Sequence, residues 1–155
     1  MRKSVLIAAA GLLLLGVTLL GSGRGQSQRV AHGHTCSATD RQFIQTAEVN
    51  MTALNLWSDD YLHGRTRPAE VVRQAHDAAR RVDGMDPSDP SLSKTKLLLN
   101  AMFKEYANAI AAKSGHGDPA QHMYRAYGLA NFAHDVLVQA EPQLRAKGCE
   151  VGTLL

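Results

Sequence analysis

The side chains in this 155-residue sequence with the widest chemical range are its seven histidines. Imidazole titrates near neutral pH and is the commonest protein metal ligand, so the spacing of the histidines is the first thing to weigh. His32, His34 and Cys36 form His-x-His-x-Cys, a spacing able to hold a transition metal in a flexible tail. No second ligand pair accompanies it, and a disulfide-bonded sulfur is not a thiolate, so a solvated tail is expected there.

A second group needs the fold to assemble it. His63, His116 and His122 lie in or beside Gly-containing connections, with Asp59, Asp60 and Asp118 close in sequence. Three neutral imidazoles with a carboxylate would suit zinc or copper. Histidines at helix ends also interact favourably with the helix dipole, which is the plainer account. His134 differs, because it falls on an apolar stripe. It is expected to be a buried, hydrogen-bonded core residue, with Ser58, Thr95 or Tyr106 as partners. Haem ligation by His134 is the alternative, although Cys-x-x-Cys-His is absent and covalent attachment of that kind is excluded. Close by, Gly128 costs about 1 kcal/mol relative to alanine inside a helix. Its presence implies close helix approach, or room for a ligand beside Tyr127 and Asn131.

Enzyme signatures are missing. Glu-x-x-His, His-Glu-x-x-His, Gly-x-Ser-x-Gly, a P-loop and a dinucleotide-binding glycine turn do not occur. No cofactor is expected. Charge excludes a further class. Of the 17 Lys and Arg, four (Arg2, Lys3, Arg24, Arg29) precede Cys36, and of the 14 Asp and Glu only Glu150 follows Cys149. The segment between the cysteines therefore balances, and the basic footprint that nucleic-acid binding requires is absent. Arg73/Asp77 and Asp77/Arg81 stand at i,i+4 spacing and predict a solvated, salt-bridged face.

These groups must be positioned by helices. Ser37 and Asp40 form a capping box that opens a helix ending at His63, just before Gly64. Along it Ile44, Ala47, Met51, Leu54, Ser58 and Tyr61 recur at spacings of three and four. A second helix is predicted from Pro68 to Val82, with Val72, Ala75, Ala79 and Val82 inward. Asp89–Pro90 supplies a cap and a first-turn proline for a third, carrying Leu92, Thr95, Leu99, Met102, Tyr106 and Ala109 and ending near Gly115. Asp118–Pro119 repeats that signal. The fourth stripe runs Met123, Tyr127, Ala130, His134, Leu137, Leu144, and Pro142 is expected to kink or break it.

Short connections make sequential helices antiparallel, so the fold class is all-α, an up-down-up-down four-helix bundle. Such a bundle returns the fourth helix to where the first begins. Cys36 and Cys149 then meet at one end, where an oxidising compartment would join them as a disulfide closing the two ends.

The N-terminus explains that compartment. Arg2 and Lys3 precede an uncharged apolar run from Val5 to Leu20, followed by Gly21, Ser22 and Gly23. Residues 1–23 are expected to be a signal peptide or, if uncleaved, an N-terminal membrane anchor. Residues 24–35 form a flexible tether, 36–150 the four-helix domain, and 151–155 a C-terminal tail. The expected location is extracytoplasmic, secreted or held on the outer face of the cytoplasmic membrane. Membrane contact comes only through the N-terminal segment. The leading functional expectation is a non-enzymatic helical module that binds a protein or envelope component, with no nucleic-acid partner. The alternatives are a metal- or haem-binding bundle using the histidines, and a carrier of a small apolar ligand using Met51, Met102, Met123 and Tyr127.

Overall fold

Ser37 opens the first helix by reciprocal bonding. Its hydroxyl accepts the Asp40 backbone N–H at 2.9 Å, and the Asp40 carboxylate accepts the Ser37 N–H at 3.3 Å. The structure is a computed structural model that describes residues 35–155. The expected signal or anchor, and the tether with His32 and His34, lie outside the described residues apart from Thr35.

Helix α1 spans Ala38–Leu62, and the chain turns at Gly64, whose φ of +67° suits a residue without a Cβ. Helix α2 spans Pro68–Asp83, with proline in its first turn, where the missing N–H costs nothing. Helix α3 spans Pro90–Ser114, and Asp89 caps it by accepting the Ser91 N–H at 2.9 Å. Helix α4 spans Ala120–Ala146, and the Asp118 carboxylate accepts the Ala120 N–H at 2.8 Å. A 3-10 turn, Gly152–Leu154, follows it. No strand occurs among the described residues.

The protein is therefore all-helical, a four-helix bundle in the expected up-down-up-down order. The Cys36–Cys149 disulfide joins its two ends, with Cα atoms 5.1 Å apart. Helix α3 is the central element. It packs against α2 on one side and α4 on the other, and α1 lies across α2 and α3. The core is built from Phe43 and Ala47 of α1, Val71 and Ala75 of α2, Leu92 and Phe103 of α3, and Leu137 and Leu144 of α4.

The disulfide end is closed by polar bonds as well. Asp40 accepts the backbone N–H groups of Ser88 (2.7 Å) and Asp89 (3.0 Å) and the Ser88 hydroxyl (2.8 Å). Lys147 Nζ pairs with Asp89 at 2.7 Å, and the Cys36 N–H donates to the Lys147 carbonyl at 2.7 Å. Start of α1, end of α4 and the α2–α3 connection are thus bound into one junction.

Two expectations need correction. Of the two effects expected of Pro142, a kink or a break, the break does not occur: α4 continues to Ala146. The carbonyl left without a donor belongs to Val138, a residue exposed to solvent, where water can replace the lost N–H. The salt-bridged face of α2 exists, but Arg73 pairs with Glu70 and Arg80 with Asp77. Arg81 instead reaches inward to the buried Asn50, donating to its Oδ1 at 3.0 Å.

Candidate functional site

Helices α1 and α4 stand apart: no Cα of one comes within 8 Å of a Cα of the other. Two hollows that share no lining residue lie between them and make an interrupted groove along α3, whose facing side chains Leu99, Met102, Tyr106, Ala109 and Ile110 are nonetheless buried. Its section nearer the C-terminal tail holds about 360 Å³ and is bordered by Met51, Leu99, Asn131, His134, Leu154 and Leu155. Its section nearer the far end holds about 470 Å³. There Tyr106, Ala109, Ile110 and Lys113 make the floor, with Leu62 on the α1 side and Met123 on the α4 side. Past Met123 the surface continues onto Tyr124, Tyr127 and Gly128.

Small side chains cause this arrangement. The stripe of α4 that meets α3 is Ala126, Ala133, Leu137, Ala140 and Leu144. Three alanines among five let the two helices approach closely. The larger Met123 and His134 are then left on the neighbouring face, toward α1, and Tyr127 lies on the outer surface of α4. Tyr127 and Tyr124 are 70% and 82% exposed, and Leu62 on the opposite wall is 74% exposed. Leu62 borders the larger section, and Tyr124 and Tyr127 line a neighbouring hollow formed by α4 residues alone, so large apolar side chains are exposed on both.

The polar groups of the groove have defined states. Ser58 Oγ donates to the Leu54 carbonyl at 2.8 Å, so the 2.7 Å contact between Ser58 and Tyr106 has the phenol as donor. Burial pushes the Tyr106 phenol above its ordinary pKa, outweighing the Ser58 contact, and keeps it a neutral donor. Lys113 is the one charged side chain lining the larger section. Its Nζ lies 5.2 Å from the centroid of the Tyr61 ring, a cation–π contact.

The histidine set proposed from sequence is dispersed. His63 caps α1, is exposed, and places Nδ1 2.8 Å from the Asp59 carbonyl oxygen and 3.1 Å from its carboxylate. His116 is exposed in the α3–α4 connection with a φ of +63°. His122 Nδ1 lies 2.7 Å from Glu105 Oε2. These three lie at the end away from the disulfide, but their ring nitrogens do not form a common ligand cluster. Among the described residues the single group with ligand atoms within 4.8 Å of one another is Cys36, Asp40 and Cys149. Its two sulfurs are bonded to each other and offer no thiolate.

His134 is not a core residue. It is exposed at the groove edge, because the alanine stripe rotates it away from α3, and Ser58 and Tyr106 bond to each other instead of to it. Tyr127 and Gly128 are likewise exposed. A Cβ added at Gly128 would meet nothing within 4 Å, so no close helix approach explains that glycine. All three residues border the groove or the α4 surface continuing from it.

Sequence reasoning missed Lys113 and the C-terminal tail. Lys113 was discoverable, since it extends the three-four stripe of α3 one step beyond Tyr106 and Ala109, where a lysine interrupts apolar residues. The tail carried no such signal. Val151 is 1% exposed, and the turn after it packs on α1 and α4, closing one end of the groove. No helix among the described residues is long and apolar enough to cross a membrane. No protein-family model, no curated protein and no solved structure matches the chain.

Proposed function

We propose that this chain is an exported, non-enzymatic binding module whose ligand occupies the groove between α1 and α4. The observation that carries the reading is the hollow of about 470 Å³ beside α3 with Leu62 and Met123 exposed at its sides, and Tyr124 and Tyr127 exposed on the adjoining surface of α4. Burying such side chains releases about 25 cal/mol per Å² of apolar surface, which favours an occupant over water. The paired hydroxyls of Ser58 and Tyr106, the Tyr61 phenol and one lysine line the larger section, an arrangement that orients a bound molecule without supplying a nucleophile and base in hydrogen-bond reach. Export is supported by the disulfide, which persists in oxidising compartments, and by the charged and apolar pattern of residues 1–23.

Photo-crosslinking inside the producing cell tests the reading. Benzophenone side chains would be placed at Leu62 and Tyr127 beside the groove, and at Leu56 and Leu97, which are exposed but do not line it. Adducts of defined mass from the first pair alone support the groove as the working surface. Equal labelling from both pairs, or none from either, overturns it.

A further inference from the structure

The ligand class follows from the larger hollow alone, on the condition that the groove is the binding surface. We infer that this hollow takes a compact aromatic carboxylate of one or two rings, with the anion at Lys113 and Tyr61 and the rings against Tyr106, Ile110 and Met123. The buried side chains of Leu54, Met102, Phe103 and Ala126 separate it from the hollow at Leu99, so its occupant is short. Its volume of about 470 Å³ lies in the lower half of the range of small-molecule sites, about 300–1,000 Å³. The walls are apolar apart from three hydroxyls and one ammonium, which suits a ligand with one polar group on an apolar body.

The donors left over set where that polar group goes. Ser58 Oγ donates to the Leu54 carbonyl and the Tyr106 phenol donates to Ser58, so neither hydroxyl has a proton to offer. The Tyr61 phenol and the Lys113 ammonium remain, and they share one end of the hollow, with Nζ 5.2 Å from the ring centroid. Carboxylates at this end of the bundle are already engaged. Asp59 and Asp60 pair with Arg65, Glu105 Oε2 lies 2.7 Å from His122 Nδ1, and Asp118 caps α4. Lys113 forms no ion pair among the described residues. A cation beside a phenol, above an apolar hollow, selects one anionic group. Aromatic rings suit the body of the ligand, because two tyrosine rings and the Met123 thioether each gain from a ring beyond simple burial.

The test photolabels the oxidised full chain in phosphatidylcholine vesicles. The probes are 4-benzoylbenzoate, a two-ring acid, and the matching 4-benzoylbenzyl alcohol at equal free concentration. The expected result is saturable labelling by the acid at Met123 and in the α3 peptide around Ile110. The alcohol should label about tenfold more weakly, the scale of exchanging a charge-assisted hydrogen bond for a neutral one. Lys113→Glu should weaken acid labelling by about the same factor, while Lys113→Arg retains it. Ala120→Trp sets an indole at an exposed position on the rim, leaves helix content unchanged, and should block labelling at Met123. Equal labelling by acid and alcohol, insensitivity to Lys113→Glu, or adducts as abundant around Leu99 and Leu137 as at Met123 would each overturn the inference. Adducts from Leu62 in cells without saturable acid labelling would overturn it too, while leaving the groove reading standing. Absence of both would overturn the groove reading with it.

Discussion

The carboxylate of Asp40, in the first turn of α1, accepts the backbone N–H of Asp89, the residue that caps α3, at 3.0 Å. Burial alone would raise its pKa. The bonds from the Asp89 N–H and from Ser37 and Ser88 more than reverse that and hold it at about 2, below the usual 3.8. A group with a depressed folded pKa stabilises the fold fully above its unfolded value, and that stability is lost as pH falls through the folded one. Stability should therefore decline between about pH 4 and pH 2. Asp40→Asn should remove about 2 kcal/mol at neutral pH and flatten that decline, as measured by urea unfolding across the pH range.

Removing the staple should cost more. Cys36 and Cys149 are separated by 113 residues, and closing so long a loop stabilises by up to about 4–5 kcal/mol in the chain-entropy model. The Cys36→Ser, Cys149→Ser double variant, or the reduced wild type, should show a midpoint shift of that scale in denaturant at unchanged helix content.

The C-terminal tail is predicted to be part of the fold, not an appendage. Val151→Ala removes two methyl groups from a fully buried site and should destabilise by about 1–2 kcal/mol. Ending the chain at Glu150 should cost at least as much, and it should also widen the groove, read as increased amide exchange in the middle of α1.

Gly128 offers a change in the opposite direction. The residue lies inside α4 in open space, so an alanine there gains helix propensity without a clash. Gly128→Ala should stabilise the protein by about 0.5–1 kcal/mol, measured by thermal unfolding. A destabilised variant would mean that the helix surface there is closely approached.

Helix boundaries were readable because they depend on local chemistry. Ser37 with Asp40, Asp89 with Pro90 and Asp118 beside Ala120 each satisfy backbone groups within three residues of themselves. The stripe of α3 was readable for a related reason, since Leu92, Thr95, Leu99, Met102, Tyr106 and Ala109 are all buried. The facing of α4 was readable only in its second half, where Leu137 and Leu144 are buried as the stripe requires. Before Leu137 the inward positions are alanines, and a stripe traced through the largest side chains selects Met123, Tyr127 and His134, one step round the helix. The groove follows from that rotation and from the separation of α1 and α4, a tertiary relationship that no local spacing encodes. Asp40 was visible as a cap, but its bonds to Ser88 and Asp89, 48 and 49 residues away, were not.

The covalent fastening between α1 and α4 is at one end only, and their backbones stay apart elsewhere. The disulfide is thus a rivet at one end, and the far end of α1, at Tyr61 and Leu62, is held by side-chain packing alone. The chain enters this body at Thr35, beside the rivet.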